Sequence, residues 1–157
     1  MKTHAFAAIP AKDAEALWAG GPDAYGLAPE RRMARGGGYP CRHCLDFIVE
    51  GDPYLTLAYR PFPAVQPYAE TGPIFLHAQA CPRYEPGDGL PATLRDSPDF
   101  ILRGYGHDDR IVYGTGAVIA QGQIEARAQD LLADPAIAYV HVRSARNNCY
   151  QCRIERP

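Results

Sequence analysis

The 157-residue sequence has no long apolar run, little net charge and no apolar leader. Its longest apolar stretches are only a few residues, whereas a transmembrane helix needs roughly 20, so we expect no membrane span. A formal net charge of −2 argues against a protein that binds nucleic acid or membrane surfaces generally. Asp13 and Glu15 stand close to the start, where a secretory signal would place its apolar centre. The sequence therefore predicts a cytoplasmic protein.

Glycine and proline number 15 each, a combined share well above the usual ~12%. The stretch 20–40 is rich in both and predicts a loop or linker. The chain length suits one domain spanning residues 1–157. With 46% hydrophobic residues, this domain has enough apolar side chains for a core of its own.

Two segments have the pattern of helices. The stretch 11–19 ends at Gly20-Gly21-Pro22 and predicts a short N-terminal helix. The stretch 123–133 is the main predicted helix. Its apolar stripe lies at positions i, i+4, i+7 and i+8, formed by Ile124, Ala128, Leu131 and Leu132.

The remaining periodic segments read as strands. Extended runs at 45–49 and 54–59, separated by Gly51-Asp52-Pro53, predict a β-hairpin. Further strands are predicted at 73–78, 100–104, 110–119, 137–143 and 149–155. The order strand, helix, strand after residue 110 suits either a βαβ unit or an antiparallel return. The predicted class is α+β, with a mixed or antiparallel sheet, one main helix in the C-terminal half and a short N-terminal helix.

Four of the five cysteines form two C-x₂-C pairs. The pairs are Cys41 with Cys44 and Cys149 with Cys152. Each C-x₂-C turn supplies two thiolates from one tight loop, and two such turns complete a tetrahedral Cys₄ zinc site. The sequence therefore predicts a zinc ion that joins distant parts of the chain. Two alternatives remain open, namely unligated buried thiols and a redox dithiol, although no predicted helix follows the first pair as thioredoxin-like chemistry requires.

The fifth cysteine, Cys81, follows His77 at a spacing of four residues. A cysteine nucleophile needs a base within hydrogen-bond reach, and either His77 or His141 is a candidate base. The same pair also offers two metal ligands. These candidates define an alternative function, a thiol-dependent enzyme that uses Cys81.

One face of the predicted strand 137–143 carries Tyr139, His141 and Arg143. An aromatic ring, an imidazole and a guanidinium on one face suit a carboxylate or phosphate, so these residues are candidate ligand-binding residues for a small anion. The solvated side of a half-buried sheet has the same pattern. Gly114-Thr115-Gly116 lacks the third glycine of a dinucleotide-binding loop, so we predict no nucleotide cofactor.

Several segments together resemble an uncharacterised bacterial family known as domain of unknown function 1203. They are YPCRHCL, LAYRPF, PYAETGPIFLHA, ILRGY and LLADPAIAYVHVRSARNNCYQCRIER, from about Gly38 to the C-terminus. The resemblance implies a small stand-alone bacterial protein with an α+β fold, and it brings no activity with it. It also implies relatives with a single cysteine in each turn, matching Cys41 and Cys149.

These observations favour a small binding or structural module over an enzyme. Its expected cofactor is a zinc ion on Cys41, Cys44, Cys149 and Cys152. Its expected partner is a small anionic ligand or another protein, with neither nucleic acid nor membrane. The alternatives are the Cys81 enzyme and an anion-binding module that uses Arg143.

Overall fold

Residues 2–87 and 89–157 of a computed structural model are described here, and they form two antiparallel sheets with two α-helices. The elements in chain order are β1 (Ala5–Ala7), α1 (Ala11–Trp18), β2 (Glu30–Met33), β3 (Pro53–Tyr59), β4 (Gly72–His77), β5 (Asp99–Tyr105), β6 (Ala117–Ala120), α2 (Ile124–Leu132), β7 (Tyr139–Ser144) and β8 (Tyr150–Glu155). The predicted α+β class is confirmed, including the short N-terminal helix and the main helix in the C-terminal half.

The larger sheet has five strands in the order β1-β8-β7-β5-β6. Strand β5 is antiparallel to both β6 and β7, so β6 and β7 run in the same direction with β5 between them. Helix α2 connects them and buries the predicted stripe of Ile124, Ala128, Leu131 and Leu132 against the sheet. No helix in the described residues is long and apolar enough to cross a bilayer.

The smaller sheet has the order β2-β3-β4, so β4 forms one of its edges. The predicted hairpin is wrong in its first half, because residues 45–49 form no strand beyond an isolated β-bridge at Phe47, and β3 pairs instead with β2 and β4. Alternation of apolar residues in 45–49 was the basis for a strand, yet Val49 is 61% exposed and Ile48 is buried. The Gly/Pro-rich stretch 20–40, predicted as loop, contains the exposed strand β2.

Residues 110–119, predicted as one strand, are irregular as far as Gly116, with an isolated β-bridge at Ile111 and a turn at 113–114, and only Ala117–Ala120 joins the sheet as β6. Gly114 has a positive φ of 90°, a conformation that interrupts an extended strand and that glycine adopts without steric cost. Gly114, near the middle of the predicted strand, therefore marks a turn.

Candidate metal centre

The first C-x₂-C pair lies in a compact turn that begins after Pro40. An isolated β-bridge joins Pro40 to Phe47, and backbone hydrogen bonds close the turn from Cys41 N to Asp46 O (2.9 Å) and from Leu45 N to Cys41 O (3.0 Å). Leu45 adopts a left-handed φ of 54°, which costs a non-glycine residue about 1–2 kcal/mol. Burial of its side chain in the main core offsets this cost. The thiols of Cys41 and Cys44 therefore project from the same tight loop.

This turn lies along the free edge of β4. Cys41 forms a parallel bridge with Phe75, and the backbone N–H of Arg42 donates to Phe75 O at 3.1 Å. His77, the last residue of β4, donates its backbone N–H to Cys41 Sγ at 3.4 Å. The unpaired edge of a three-stranded sheet thus positions the cysteine turn beside the end of β4, where the chain continues to Cys81.

Four potential metal ligands meet at this point. Single donor atoms of Cys41, Cys44, His77 and Cys81 all lie within 4.8 Å of one another. Cys41 is buried, and the other three side chains are partly exposed. Trp18 supports the site from α1, donating its indole N–H to His77 O at 2.8 Å. The cluster is able to hold a metal ion.

The distances in the cluster match those of a tetrahedral zinc site. With Zn–S bonds of roughly 2.3 Å and Zn–N bonds of roughly 2.0–2.1 Å, tetrahedral angles separate two sulfurs by about 3.8 Å, and a sulfur from a nitrogen by about 3.6 Å. Cys41 Sγ lies 3.9 Å from Cys81 Sγ, and Cys44 Sγ lies 3.6 Å from His77 Nδ1. These two separations are therefore those expected between neighbouring ligands of a four-coordinate metal ion.

Because the three thiols lie close together, their pKa values differ from one another. Hydrogen bonds from Cys44 and then Cys81 hold the pKa of Cys41 far below its ordinary value. The same bond to Cys41 raises the pKa of Cys44 to about 11, and hydrogen bonding to Cys41 raises the pKa of Cys81 strongly. A bound metal would lower the pKa of every coordinating thiol and deprotonate it.

His43, inside the cysteine turn, was not singled out as a ligand by its spacing. Its Nδ1 lies 3.4 Å from Cys81 Sγ, and its ring packs edge-on against Trp18. Its Nε2 is buried and has no hydrogen-bond partner in the described residues. In this position His43 acts as a hydrogen-bonding neighbour of the ligand cysteine, a role that fixes the orientation of metal ligands in many sites.

The second C-x₂-C pair lies outside the cluster of ligand atoms. Cys152 is fully buried on β8, opposite Val142 in the core beneath α2, while Cys149 is partly buried in the preceding turn. The two cysteine turns do meet, but through Arg42, whose Nε donates to Tyr150 O at 2.7 Å. In place of the four cysteines expected from the sequence, the structure groups Cys41 and Cys44 with His77 and Cys81.

The predicted anion-binding face of β7 is buried rather than solvated. His141 is 0% exposed and contacts aromatic rings on every side. Arg143 and Arg103 both pair with the carboxylate of Glu70, at 3.0 and 2.8 Å. The Tyr139 hydroxyl donates to Asp109 at 2.7 Å. Arg143 and Tyr139 therefore bind carboxylates of the protein's own side chains, Glu70 and Asp109.

The candidate catalytic pair of Cys81 with a histidine is only partly assembled. His77 lies beside Cys81 in the ligand cluster. His43, which the sequence did not single out as a base, has its Nδ1 3.4 Å from Cys81 Sγ. His141 packs in a separate aromatic cluster with Phe62, Tyr105 and Tyr139. Cys81 packs against the core of the smaller sheet. Cys81 and His141 therefore belong to different clusters.

Comparison with known proteins identifies one family. A search of curated proteins gives no match. A search of solved structures also gives no match. A family model described as "Protein of unknown function (DUF1203)" matches residues 38–156, which include all four residues of the ligand cluster. Because this match spans most of the chain and agrees with the motifs of the sequence, the protein belongs to the DUF1203 family.

Proposed function

We propose that the protein is a binding module whose structure is held together by a zinc ion on Cys41, Cys44, His77 and Cys81. The observation that carries this proposal is the convergence of four soft donor atoms within 4.8 Å. Three thiolates and one imidazole form a ligand set that is common in structural zinc sites. Cytoplasmic, reducing conditions are the setting that the proposal requires, because thiols must stay reduced to bind metal.

A structural role is favoured because four protein ligands fill a tetrahedral shell. Catalytic zinc sites keep one position open for water or substrate. The His77 N–H donates to Cys41 Sγ, and His43 Nδ1 lies within hydrogen-bond distance of Cys81 Sγ, so both contacts suit bound thiolates. We also propose that residues 1–157 form one domain, since the cysteine turn contacts both sheets through Phe75 and Tyr150.

Metal content of cysteine variants tests the proposal. Protein grown in zinc-supplemented medium and purified without chelator is expected to carry about one zinc per chain, measured by plasma mass spectrometry. Cys81→Ser and Cys44→Ser each remove a thiolate from the shell, so we expect at least a tenfold loss of zinc affinity in each, in line with about 1.4 kcal/mol or more per ligand. Cobalt substitution gives a second readout, because tetrahedral thiolate coordination produces intense visible bands.

Cys149→Ser is the matched control. Its thiol is partly buried and donates to Asn147 O rather than to the cluster. We expect this variant to keep its full zinc content. Zinc lost in Cys149→Ser but kept in Cys81→Ser would instead support the ligand set expected from the two C-x₂-C pairs. Wild-type protein that binds neither zinc nor cobalt would overturn the proposal altogether.

A thiol enzyme remains the second candidate, because His43 Nδ1 lies 3.4 Å from Cys81 Sγ. An activated thiol reacts faster than its neighbours with an alkylating agent near neutral pH. Metal-loaded protein is expected to show slow alkylation of Cys81, with Cys149 reacting first because it lies outside the cluster. Selective modification of Cys81 in the metal-loaded protein would favour the enzyme.

A further inference from the structure

A cleft of about 800 Å³ lies on the side of the molecule formed by α1, the end of β3 and β8. Pockets that bind small molecules usually measure about 300–1,000 Å³ and combine apolar walls with a few polar groups. Leu57, Tyr59, Phe62 and Tyr150 supply apolar and aromatic surface to this cleft. None of the four metal-ligand residues lines it, so the cleft is a feature separate from the proposed zinc site.

The acidic side chains of the cleft already have partners within the protein. Asp13 accepts the Tyr59 hydroxyl at 2.8 Å, and Asp109 accepts the Tyr139 hydroxyl at 2.7 Å. Asp23 accepts hydrogen bonds from the backbone N–H groups of Tyr25, Leu27 and Ala58. Glu155 forms an ion pair with Arg153 at 3.2 Å. Their oxygens therefore have hydrogen-bond or ion-pair partners within the protein.

Three basic side chains of the cleft lack a carboxylate partner. Arg83 donates only to the carbonyls of Ile9 and Ala8, and Arg60 donates only to the carbonyl of Phe62. Lys12 is exposed on α1. Throughout residues 2–87 and 89–157, no carboxylate lies within 4.0 Å of the charged group of Lys12, Arg60 or Arg83. Backbone carbonyls orient two of these cations and leave their positive charge uncompensated.

The floor of the cleft adds a fourth cation. The guanidinium of Arg153 lies 3.5 Å from the centre of the Tyr139 ring. Its Nε lies 3.2 Å from the Glu155 carboxylate, an ion pair whose alignment falls short of a hydrogen bond in the described part of the chain.

We infer that this cleft binds a small organic anion, with a phosphate or carboxylate group held by Arg60, Arg83 and Lys12 and an apolar or aromatic body against Tyr59, Phe62 and Tyr150. Arginine and lysine are the side chains that bind such anions, and arginine does so through paired N–H donors. The ring surfaces supply the affinity that a bare inorganic ion does not gain. This inference goes beyond the proposed zinc site and does not depend on it.

Titration calorimetry with 1-naphthyl phosphate, on the full chain as purified, tests the inference. We expect saturable binding at one site, at least about tenfold tighter than that of inorganic phosphate, since the naphthyl ring adds buried apolar area. 1-Naphthoate tests the carboxylate form of the ligand, and uncharged 1-naphthol tests the aromatic body alone. Binding of the naphthyl anions is expected to weaken as sodium chloride is added, because salt screens exposed charges.

Charge reversal locates the site. The double variant Lys12→Glu/Arg60→Glu is expected to weaken binding of 1-naphthyl phosphate at least about tenfold. Arg31→Glu/Arg32→Glu makes the same change of charge on exposed strand β2, away from the cleft, and is expected to stay within about twofold of wild type. Lys12→Glu alone alters only an exposed side chain and keeps the test valid if the double variant is unstable.

Two results overturn the inference. One is the absence of saturable binding for both 1-naphthyl phosphate and 1-naphthoate. The other is equal weakening in the cleft variant and the β2 control, which shows that only the overall charge of the molecule attracts the anion.

Discussion

His141 is a completely buried histidine with no hydrogen bond to either ring nitrogen in the described residues. Aromatic rings of Phe62, Tyr105, Tyr139 and Tyr150 lie within 5.1 Å of its ring centre. Groups that face it include Arg103 on β5, Arg143 on β7, Arg153 on β8 and the Glu70 carboxylate that pairs with two of them. Burial first, and then these three guanidinium groups, hold the pKa of His141 well below its ordinary value.

His141 therefore makes the protein sensitive to acid. The unfolded chain binds a proton at this histidine below about pH 6.5, whereas the folded protein does not, so the free energy of unfolding falls as pH drops through that value. Between pH 7.5 and 5.5 this single group accounts for about 1.4 kcal/mol. His141→Phe suits the aromatic surroundings and is expected to lose that part of the acid sensitivity, measured by urea unfolding at both pH values.

Exposed His107 provides the comparison for this measurement. His107→Gln is expected to leave the difference between the two pH values as it is in wild type. If His141→Phe and wild type lose equal stability on acidification, His141 is protonated in the folded state and its pKa is not lowered.

At the level of elements, Arg42 joins the cysteine turn to strand β8. Its side chain is only 3% exposed, and its guanidinium donates to Tyr150 O at 2.7 Å and to Pro40 O at 2.6 Å. Burial lowers the pKa of Arg42 to about 10, so the group stays charged near neutral pH. One planar side chain thus satisfies carbonyls on two elements that are distant in sequence.

Arg42→Met removes both donors and leaves the buried carbonyl of Tyr150 and the partly buried carbonyl of Pro40 without these partners. We expect a loss of about 2–3 kcal/mol in the free energy of unfolding, from urea titration. Arg31→Met, on exposed β2, is the control and is expected to change stability by no more than about 0.5 kcal/mol. Equal stability of Arg42→Met and Arg31→Met would show that the turn does not depend on this contact.

Elements set by local pattern were predictable from the sequence, and elements set by distant pairing were not. Helix α2 follows from a stripe of four apolar residues, which its own 3.6-residue period places on one face. The partner of β3 does not follow from local pattern, because β2 pairs with it across the intervening stretch that contains the cysteine turn. Val49 alternates correctly for a strand but has no neighbouring strand to pair with.

The candidate site shows the same division. Spacing alone identified the C-x₂-C turn at Cys41 and Cys44, and separately identified His77 and Cys81 as a pair of possible ligands. Their meeting depends on the parallel bridge between Cys41 and Phe75, a contact with no signature in either segment. Two C-x₂-C pairs resemble each other in sequence, whereas ligand atoms converge only where the edge of β4 places them.

At the scale of the whole molecule, the cysteine turn contacts segments that are distant from one another in sequence. Backbone groups of Arg42 bond to Ile9 before α1 and to Phe75 on β4. His43 O accepts Tyr84 N–H at 2.8 Å, and Leu45 O accepts Thr93 N–H at 3.2 Å. Together with the Arg42 bond to Tyr150, these contacts join both sheets and the long segment between β4 and β5. The zinc ion that we propose in this turn would therefore stabilise several parts of the fold rather than one loop.

Removal of the metal is accordingly expected to destabilise the protein as a whole. Zinc present at about a thousand times its dissociation constant adds about 4 kcal/mol, and a chain of this length loses roughly 2–4 °C of melting temperature per kcal/mol. We expect a strong chelator to lower the melting temperature by about 8–16 °C. Trp18 fluorescence reports the metal site, since its indole bonds to His77 O, and far-ultraviolet circular dichroism reports both sheets, so the two transitions are expected to coincide.

Cys81→Ser serves as the control for this experiment, because a variant with an incomplete ligand set has little zinc to lose and is expected to respond weakly to the chelator. Cys149→Ser, with its ligand set intact, is expected to respond as wild type does. An unchanged melting temperature in wild-type protein whose zinc has been shown to be removed would mean that the cysteine turn holds its contacts without the ion. A fall in the Trp18 transition alone would confine the metal's effect to the turn and the end of β4.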